Sequence, residues 1–259
     1  MAGSNSNTNK RTLRPDGRPS QGNTLRPLAC ELSCTHRADG SALWKAGLTH
    51  VLAAVYGPIA PLVIAKENPN LGMVSVVIKM ADQGQQQQSN NQTLEYGQFL
   101  HDVLTACIDV AKFPRCVMEV VLQVIQSDGS MLACLLHAAV AALMDAGIDL
   151  LYMPVATTCL VVLPSSLDGT KKKKSRILLD PTSAEEFEDD DCSSVVVLVN
   201  EKNHPGAILG SHTFGGGVPL EDLLACVQVA SKACHAIPAF FRLAMEQKVT
   251  RESQTLWSR

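Results

Sequence analysis

The stretch VMEVVLQVIQSDGSMLACLLHAAVAALMDA, residues 117–146, decides the fold. Its first part is rich in β-branched residues, which predicts a strand over residues 117–125. Residues 130–146 predict a helix that is apolar on nearly every side until Gly147 ends it. A helix that is apolar all round is buried, so we expect this helix in the core of the protein.

Short apolar runs surround this stretch and predict further strands. They occupy residues 48–56, 73–80, 153–163, 176–180, 194–200 and 206–214. Apolar residues at helical spacing predict an amphipathic helix over residues 94–112, and a last long helix over residues 220–248 is interrupted at Pro238. This order of elements favours the α/β (α+β) class, with a mixed β-sheet and helices packed against it.

The chain of 259 residues, 46% of them hydrophobic, is long enough for one domain with one sizeable core. We expect this domain over residues 13–250, between a flexible N-terminal tail at residues 1–12 and a C-terminal tail at residues 251–259. No run of about 18 uncharged apolar residues occurs, and the N-terminus is polar. The sequence therefore predicts a soluble intracellular protein without a membrane segment.

The nine cysteines are odd in number and scattered, mostly within apolar runs. This pattern is typical of reduced core residues. Cys30, Cys34 and His36 could still form a zinc site, but the sequence lacks a second ligand pair at the usual spacing. We therefore expect no resident metal.

Two basic segments have two interpretations each, and a glutamine-rich segment has one. The N-terminal cations Lys10, Arg11, Arg14, Arg18 and Arg26 could contact phosphates, although residues 1–12 also have the composition of a disordered tail. Lys171, Lys172, Lys173 and Lys174 could follow a nucleic acid, or form a solvated loop like the acidic run at residues 185–191. Residues 83–92 are rich in glutamine and lack apolar residues, which predicts a mobile loop.

The run Ser127-Asp128-Gly129-Ser130 joins the predicted strand to the buried helix and is the first candidate site. Glycine there would let an anion approach free backbone N–H groups, and the helix dipole favours negative charge. Alternatively, one of the polar side chains simply caps the helix. No Walker loop, Gly-x-Ser-x-Gly elbow or His-Glu-x-x-His pair occurs, which excludes several common enzyme classes.

Asp180 and Glu186 form the second candidate site, because the turn between them could bring both carboxylates together. Such a pair could hold a divalent ion or transfer protons. Spacing alone, however, favours two solvated acids beside a turn.

Several motifs occur in the order in which they occur in ribonuclease PH and its relatives. Arg-Pro-Asp-Gly-Arg at residues 14–18 resembles the N-terminal signature of that family, and Arg-Ala-Asp-Gly-Ser-Ala at residues 37–42 resembles its next block. Further matches follow at residues 55–58, 122–123, 127–130, 145–147 and 180–183. The resemblance covers residues 13–248 and implies the ribonuclease PH fold, which is of the ribosomal protein S5 domain 2-like type.

In active members of that family, phosphate attacks the 3′-terminal phosphodiester, basic residues hold the phosphate, and acids bind a metal or move a proton. By this resemblance Asp180 and Glu186 stand at the catalytic carboxylates, with glutamate replacing the more usual aspartate at the second place. Met131 stands where the family has an arginine, and a second arginine position falls on Gln98. The implied phosphate-site positions are Gln98, His101, Ser130 and Met131. Because glutamine and methionine bring no positive charge, we expect the catalytic function to be lost.

Residues 131–134, Met-Leu-Ala-Cys, resemble a run in non-catalytic ribonuclease PH-like subunits of the eukaryotic RNA exosome ring. The resemblance implies a structural subunit that lines an RNA channel, with other ribonuclease PH-like subunits and single-stranded RNA as partners. It also implies a location in the nucleus, the nucleolus and the cytoplasm. Candidate RNA contacts are Arg115 and the four lysines, and magnesium would be needed only if the protein were active.

Two alternatives remain open from the sequence. The first is an active phosphorolytic or metal-dependent 3′–5′ exoribonuclease that uses Asp180 and Glu186. The second is a nucleic-acid-binding module that acts outside a ring through the lysine run and the basic N-terminus.

Overall fold

The computed structural model describes residues 14–19, 24–61, 68–80, 86–162, 175–187, 193–201, 203–204 and 207–257. The strands are β1 Leu28–Leu32, β2 Gly40–Ala46, β3 Thr49–Ile59, β4 Met73–Met80, β5 Val117–Gln126, β6 Pro154–Val162, β7 Arg176–Leu179, β8 Ser193–Glu201 and β9 Ile208–Gly215. The helices are α1 Gln86–Cys107, α2 Met131–Asp145, α3 Ser183–Phe187, α4 Leu220–Ala233 and α5 Ala236–Trp257. A short 3-10 helix, Val110–Lys112, follows α1.

The strands form two sheets, and the first of them is a mixed sheet of the kind that the sequence predicts. The first sheet has the order β1-β2-β3-β5-β4, in which only β4 and β5 run parallel. The second sheet has the order β7-β6-β8-β9 and is antiparallel throughout.

Helix α2 lies between the two sheets, and its composition explains this position. Residues 132–143 are all buried, including the central Leu135 and Leu136. The helix packs on β2 and β3 of the first sheet and on β6 of the second. Since a helix that is apolar all round needs cover on every side, two sheets are required where one would leave a face exposed.

Strand β6 is the most buried strand of the second sheet, since its first eight residues are all buried. Helix α2 covers one of its faces and α4 covers the other. Helix α1 packs against β4 and β9, and therefore contacts an edge strand of each sheet. These contacts place α1, α2 and β9 around one end of the molecule, where the candidate site lies.

Two predicted loop or tail segments are helical. The loop predicted at residues 83–92 is wrong for residues 86–92, because α1 begins at Gln86. Glutamine is a good helix former and can extend a packed helix without apolar contacts of its own. Residues 251–257, expected in a C-terminal tail, continue α5. The predicted N-terminal tail at residues 1–12 lies outside the described residues.

The break in the last helix occurs before Pro238 and not at it. Helix α4 ends at Ala233, and Pro238 lies in the first turn of α5, where its missing N–H group is tolerated. By length and composition alone, Leu220–Gln254 could cross a membrane, a test that core helices also pass. In this fold α4 packs on β6 and β8, and α5 packs on β1.

Candidate functional site

Two loops meet at the N-terminus of α2, and their contact forms the candidate site. Residues 127–130 connect β5 to α2, and residues 180–182 connect β7 to α3. Gly129, with φ of +74°, lies so close to the second loop that an added Cβ atom would stand 2.6 Å from the Pro181 carbonyl oxygen. Glycine is therefore required here both by the left-handed backbone and by the backbone contact.

Asp180 is held in a buried ion pair. The Arg26 guanidinium donates to Asp180 Oδ1 from Nη2 at 2.7 Å and from Nε at 3.1 Å, and the Arg26 backbone N–H donates to Oδ2 at 2.9 Å. Burial alone would raise the pKa of Asp180, but the hydrogen bonds and charge of Arg26 outweigh burial and lower that pKa. Asp180 is therefore an ionised, paired carboxylate and not a free general base.

Arg26 also binds the loop at residues 127–130. Arg26 Nη1 donates to the Asp128 carbonyl oxygen at 2.6 Å, and Nη2 approaches the Gly129 carbonyl oxygen at 3.3 Å. Thr49 adds two bonds, since its hydroxyl donates to the Gly129 carbonyl oxygen and accepts from the Asp128 N–H, each at 3.0 Å. The loop at residues 127–130 is thus rigid, which fixes the geometry of the helix start.

A second arginine binds the acidic segment of the chain. Arg14 Nε and Nη2 donate to the two carboxylate oxygens of Glu185 at 2.7 and 2.6 Å. Burial would raise the pKa of Glu185, but the hydrogen bonds and charge of Arg14 lower it. The expectation that the N-terminal arginines contact phosphates is therefore wrong for Arg14 and Arg26, because the chain's own carboxylates bind them. Lys10 and Arg11 lie outside the described residues.

The side chain of Glu186, a residue of α3, lies at the N-terminus of α2. Its Oε1 accepts the Ser130 N–H at 2.9 Å, so a carboxylate of the chain itself fills the anion position predicted from the glycine turn. Burial raises the pKa of Glu186, although the hydrogen bond from Ser130 acts in the opposite direction.

The alternative interpretation, in which a side chain of this turn caps α2, is wrong for Ser130 and Asp128. Ser130 makes no side-chain cap bond, and its hydroxyl donates to the Pro181 carbonyl oxygen at 3.0 Å. Asp128 Oδ1 accepts the Ser183 N–H at 3.3 Å. Both side chains join the two loops to each other.

A cavity of about 360 Å³ opens beside this junction, and we call it the Ser130 cavity. Ser130, Met131 and Glu186 line it together. Tyr96 of α1 and Phe214 of β9 form an aromatic wall, with ring centroids 5.4 Å apart and planes at 82°. No Lys, Arg or His belongs to the described lining, and Asp180 does not line the cavity. Of the predicted carboxylate pair, only Glu186 lines the cavity, and the charge of the nearby Asp180 acts to raise the pKa of Glu186.

Gln98 and His101 do not share the Ser130 cavity. They line a different, larger groove between α1 and β4, together with Ile59 and Leu94. Successive helix residues are rotated by about 100°, so Gln98 lies on nearly the opposite side of α1 from Tyr96. The family resemblance that selected Gln98 and His101 does not show which face of α1 points inward, and α1 presents Gln92 and Tyr96 to the cavity instead.

The other candidate contacts lie elsewhere. Arg115 stands in the turn before β5, with its backbone N–H donating to the Asn68 carbonyl oxygen at 3.2 Å, and it does not line the Ser130 cavity. Lys171, Lys172, Lys173 and Lys174 lie outside the described residues. Within the described ranges no group of three His, Cys, Asp or Glu side chains could hold a metal ion, so Cys30, Cys34 and His36 form no such cluster.

Comparisons with known proteins identify the family. Residues 24–149 match the 3′ exoribonuclease family, domain 1, of the ribonuclease PH type. The exosome complex exonuclease RRP46 homolog of Arabidopsis thaliana is 34% identical over 246 residues, which are 92% of this chain and 98% of that protein. The chain belongs to the ribonuclease PH family. The family and the fold predicted from the sequence are thereby confirmed.

Two solved structures share this ribonuclease PH architecture. The crystal structure of rice (Oryza sativa) Rrp46 has 35% sequence identity and a TM-score of 0.73, covering 88% of this chain and 98% of that one. A chain of the Archaeoglobus fulgidus exosome with RNA bound to the active site has 20% identity and a TM-score of 0.70, covering 88% and 92%. The archaeal likeness concerns the fold alone.

Proposed function

We propose that this ribonuclease PH-like chain is a structural subunit of an RNA exosome ring, that it lines an RNA channel, and that it does not cut RNA. One observation carries the catalytic part of this proposal. The Ser130 cavity contains a carboxylate and no Lys, Arg or His among its described lining residues. Phosphorolysis requires positive groups that stabilise the attacking phosphate and the developing charge, and these residues supply none.

The state of Asp180 supports the same proposal. By its resemblance to the family, Asp180 corresponds to the first catalytic carboxylate, yet both of its oxygens accept hydrogen bonds from Arg26. A carboxylate engaged in this way has a lowered pKa and is a poor proton acceptor. It serves instead to join β7 to the segment before β1.

The relatives support the exosome part of the proposal. The Arabidopsis and rice proteins are named as exosome complex exonucleases, and the archaeal structure holds RNA at an active site. We propose other ribonuclease PH-like subunits and single-stranded RNA as partners, with the nucleus, the nucleolus and the cytoplasm as locations. A ring subunit of this kind needs no resident cofactor.

Assembly is the first test. The purified chain is mixed with candidate ribonuclease PH-like ring subunits of the same organism and passed over a sizing column. We expect co-elution in a particle larger than either component. If the chain elutes separately from every candidate, the ring proposal fails.

RNA decay is the second test. Labelled single-stranded RNA is incubated with the purified chain, with and without phosphate, and with magnesium or manganese. Glu186→Gln is a better control than Asp180→Ala, since loss of Asp180 would leave Arg26 buried and unpaired. We expect no decay above that of Glu186→Gln.

An active exoribonuclease is the second candidate function, and the position of Glu186 in the cavity favours it. Glu186 could bind a magnesium ion or accept a proton there. Phosphate-dependent release of nucleoside diphosphates, or metal-dependent hydrolysis, that is lost in Glu186→Gln would establish this alternative. Either result would contradict the proposal of an inactive subunit.

A further inference from the structure

The Ser130 cavity is chemically unsuited to a free anion. Its described lining has one carboxylate, Glu186, and no cationic side chain. The Ser130 N–H, which would hold an anion at the start of α2, already donates to Glu186. Arg26 acts on Glu186 electrostatically but does not line the cavity. A phosphate in the cavity would therefore face the Glu186 carboxylate with no cationic side chain among the described lining residues, and like charges repel. A ligand suited to this cavity donates hydrogen bonds to Glu186.

Thr158 provides an independent sign of a ligand. This β6 residue lines the same cavity and is 2% exposed, yet its Oγ1 has no hydrogen-bond partner among the described residues. A buried hydroxyl without a partner costs free energy, and such groups are rare in folded proteins. The polar edge of a bound ligand would supply the missing partner.

The cavity also has a flat apolar wall. Phe214 is held in place by His212, which stacks on it with centroids 4.2 Å apart and planes at 19°, while Tyr96 meets Phe214 edge-on. Aromatic walls beside hydrogen-bonding side chains hold unpaired nucleobases, which stack through their faces and pair through their edges. The cavity volume lies within the range of about 300–1,000 Å³ that is usual for small-molecule sites.

We propose that the Ser130 cavity binds a guanine base. Guanine has two adjacent donors, N1–H and the N2 amino group, which match the two oxygens of the Glu186 carboxylate. Its neighbouring carbonyl oxygen can accept from the Thr158 hydroxyl. Adenine places a donor beside an acceptor, and uracil has a single donor between two acceptors, so neither matches a carboxylate with two bonds.

The alternative of a divalent cation fits these residues poorly. Calcium takes about six to eight oxygen ligands, and the cavity offers one carboxylate and a few hydroxyls. No metal-binding group of three His, Cys, Asp or Glu side chains exists in the part of the chain that the structure describes.

The base can come from two sources, an RNA strand or a free guanine nucleoside. The RNA source deepens the proposed function, because the cavity would then select guanine in the strand that the ring receives. If the source is an RNA strand, its phosphates lie outside the cavity, away from Glu186.

Calorimetric titration of the purified chain with guanosine, inosine, adenosine and orthophosphate tests the proposal. Inosine lacks only the N2 amino group, so it is the matched ligand, and we expect it to bind on the order of tenfold more weakly than guanosine. Adenosine and orthophosphate should bind more weakly still. Equal binding of guanosine and inosine, or orthophosphate that displaces guanosine, would overturn the guanine site.

A second comparison separates the two sources. Short oligoribonucleotides that differ only in a 3′-terminal guanosine or adenosine are titrated in the same way. A preference for the guanosine end supports the RNA source, whereas binding of the nucleoside without binding of the oligonucleotide supports the free nucleoside. Guanine-independent binding of both oligonucleotides, together with no binding of guanosine, overturns the inference.

Substitutions test the assigned side chains. Glu186→Gln keeps the size of the side chain and an acceptor for Ser130 but removes one acceptor for the base, so guanosine affinity should fall by at least about tenfold. Thr158→Val should cause a smaller loss. Glu95→Gln is the matched control, because Glu95 is exposed and lies beside Tyr96 outside the cavity.

Thermal unfolding of each variant confirms that it is folded before its affinity is compared. A folded Glu186→Gln that binds guanosine as tightly as the parent protein would refute the assignment. Ring assembly and RNA decay are measured separately, so failure of guanosine binding leaves those two results unaffected.

Discussion

The ion pair between Arg26 and Asp180 joins residues that are 154 positions apart in the sequence. Both side chains are buried, so removal of one leaves the other charged and unpaired in the interior. We expect Arg26→Met to lower the free energy of unfolding by about 3–5 kcal/mol, as measured by urea denaturation.

An exposed pair supplies the matched control. Lys45 Nζ contacts Glu31 Oε1 at 2.8 Å on the surface of the first sheet. Lys45→Met removes the same kind of charge, and it should change the free energy of unfolding by only about 0–1 kcal/mol. Equal losses in the two variants would contradict the structural role assigned to Arg26.

His137 is a buried neutral residue of α2. Its Nε2 accepts the Ala156 N–H at 3.2 Å, and burial lowers its pKa from 6.5 to about 4. Between these two values the unfolded chain binds a proton that the folded chain excludes, so stability decreases as the pH falls through this window. We expect His137 to lower the Tm at pH 5 relative to pH 7.

The variant His137→Gln isolates this effect, because glutamine keeps an acceptor for Ala156 and does not titrate. Asp180 and Glu185 have lowered pKa values and lose their stabilising effect only at lower pH, while Glu186, with its raised pKa, acts in the opposite direction. The Tm of His137→Gln should therefore fall less between pH 7 and pH 5 than that of the parent. Identical changes would mean that His137 does not titrate as described.

The contact between α2 and β2 depends on a glycine. A Cβ atom added at Gly40 would stand 2.3 Å from the Ala142 carbonyl oxygen and 2.4 Å from the Ala146 nitrogen. Gly40→Ala therefore forces the helix away from the sheet, and we expect a loss of about 1–3 kcal/mol in the free energy of unfolding.

Gly97 in α1 offers the same substitution without the clash. Apart from its chain neighbours and the nearby backbone of α1 itself, no described atom lies within 4 Å of a Cβ atom added there. Gly97→Ala should raise the free energy of unfolding by about 0.5–1 kcal/mol, because alanine loses less backbone entropy on forming a helix. If both substitutions change stability in the same direction, the close approach at Gly40 is not what decides its effect.

Whether a segment is a strand or a helix could be predicted where its composition and the spacing of its apolar residues agree, as in β5 and α2. The predicted start of α1 was wrong because a glutamine-rich run can be either a loop or a helix extension. Only the packing of the residues that follow decides which of the two forms. The roles of Arg14 and Arg26 could not be predicted, since their partners lie in another part of the chain. The presence of Met131 and Glu186 in one site was predictable from motif order, whereas the inward face of α1 was not.

The whole molecule carries a net charge of −3, which opposes RNA binding by the isolated chain. Affinity for RNA therefore depends on local basic patches, and Lys171–Lys174 is the densest cationic run in the sequence. Replacing all four lysines with glutamine should weaken RNA binding. It should also reduce, by up to about 3, the magnitude of the slope of log K for RNA binding against log salt concentration, here called the salt slope. Fluorescence anisotropy at several salt concentrations measures both quantities.

The control variant replaces Lys45 and Lys112, whose ammonium groups contact Glu31 and Asp149. These two substitutions should leave the salt slope close to that of the parent. A slope that is unchanged when all four lysines of the run are replaced would mean that the run does not contact RNA.

The long-range pairs of Arg14 and Arg26 also matter while the chain is being made. The ribosome delivers these arginines first, but Asp180 and Glu185 follow only after more than half of the 259 residues have been joined. Until β6 emerges, α2 has one sheet to pack against and presents an apolar face to water. Contacts that form this late in synthesis slow folding and leave the nascent chain prone to aggregation. Arg14 and Arg26 are thus synthesised long before their partners, and the unfinished chain exposes an apolar face of α2 that chaperones can cover.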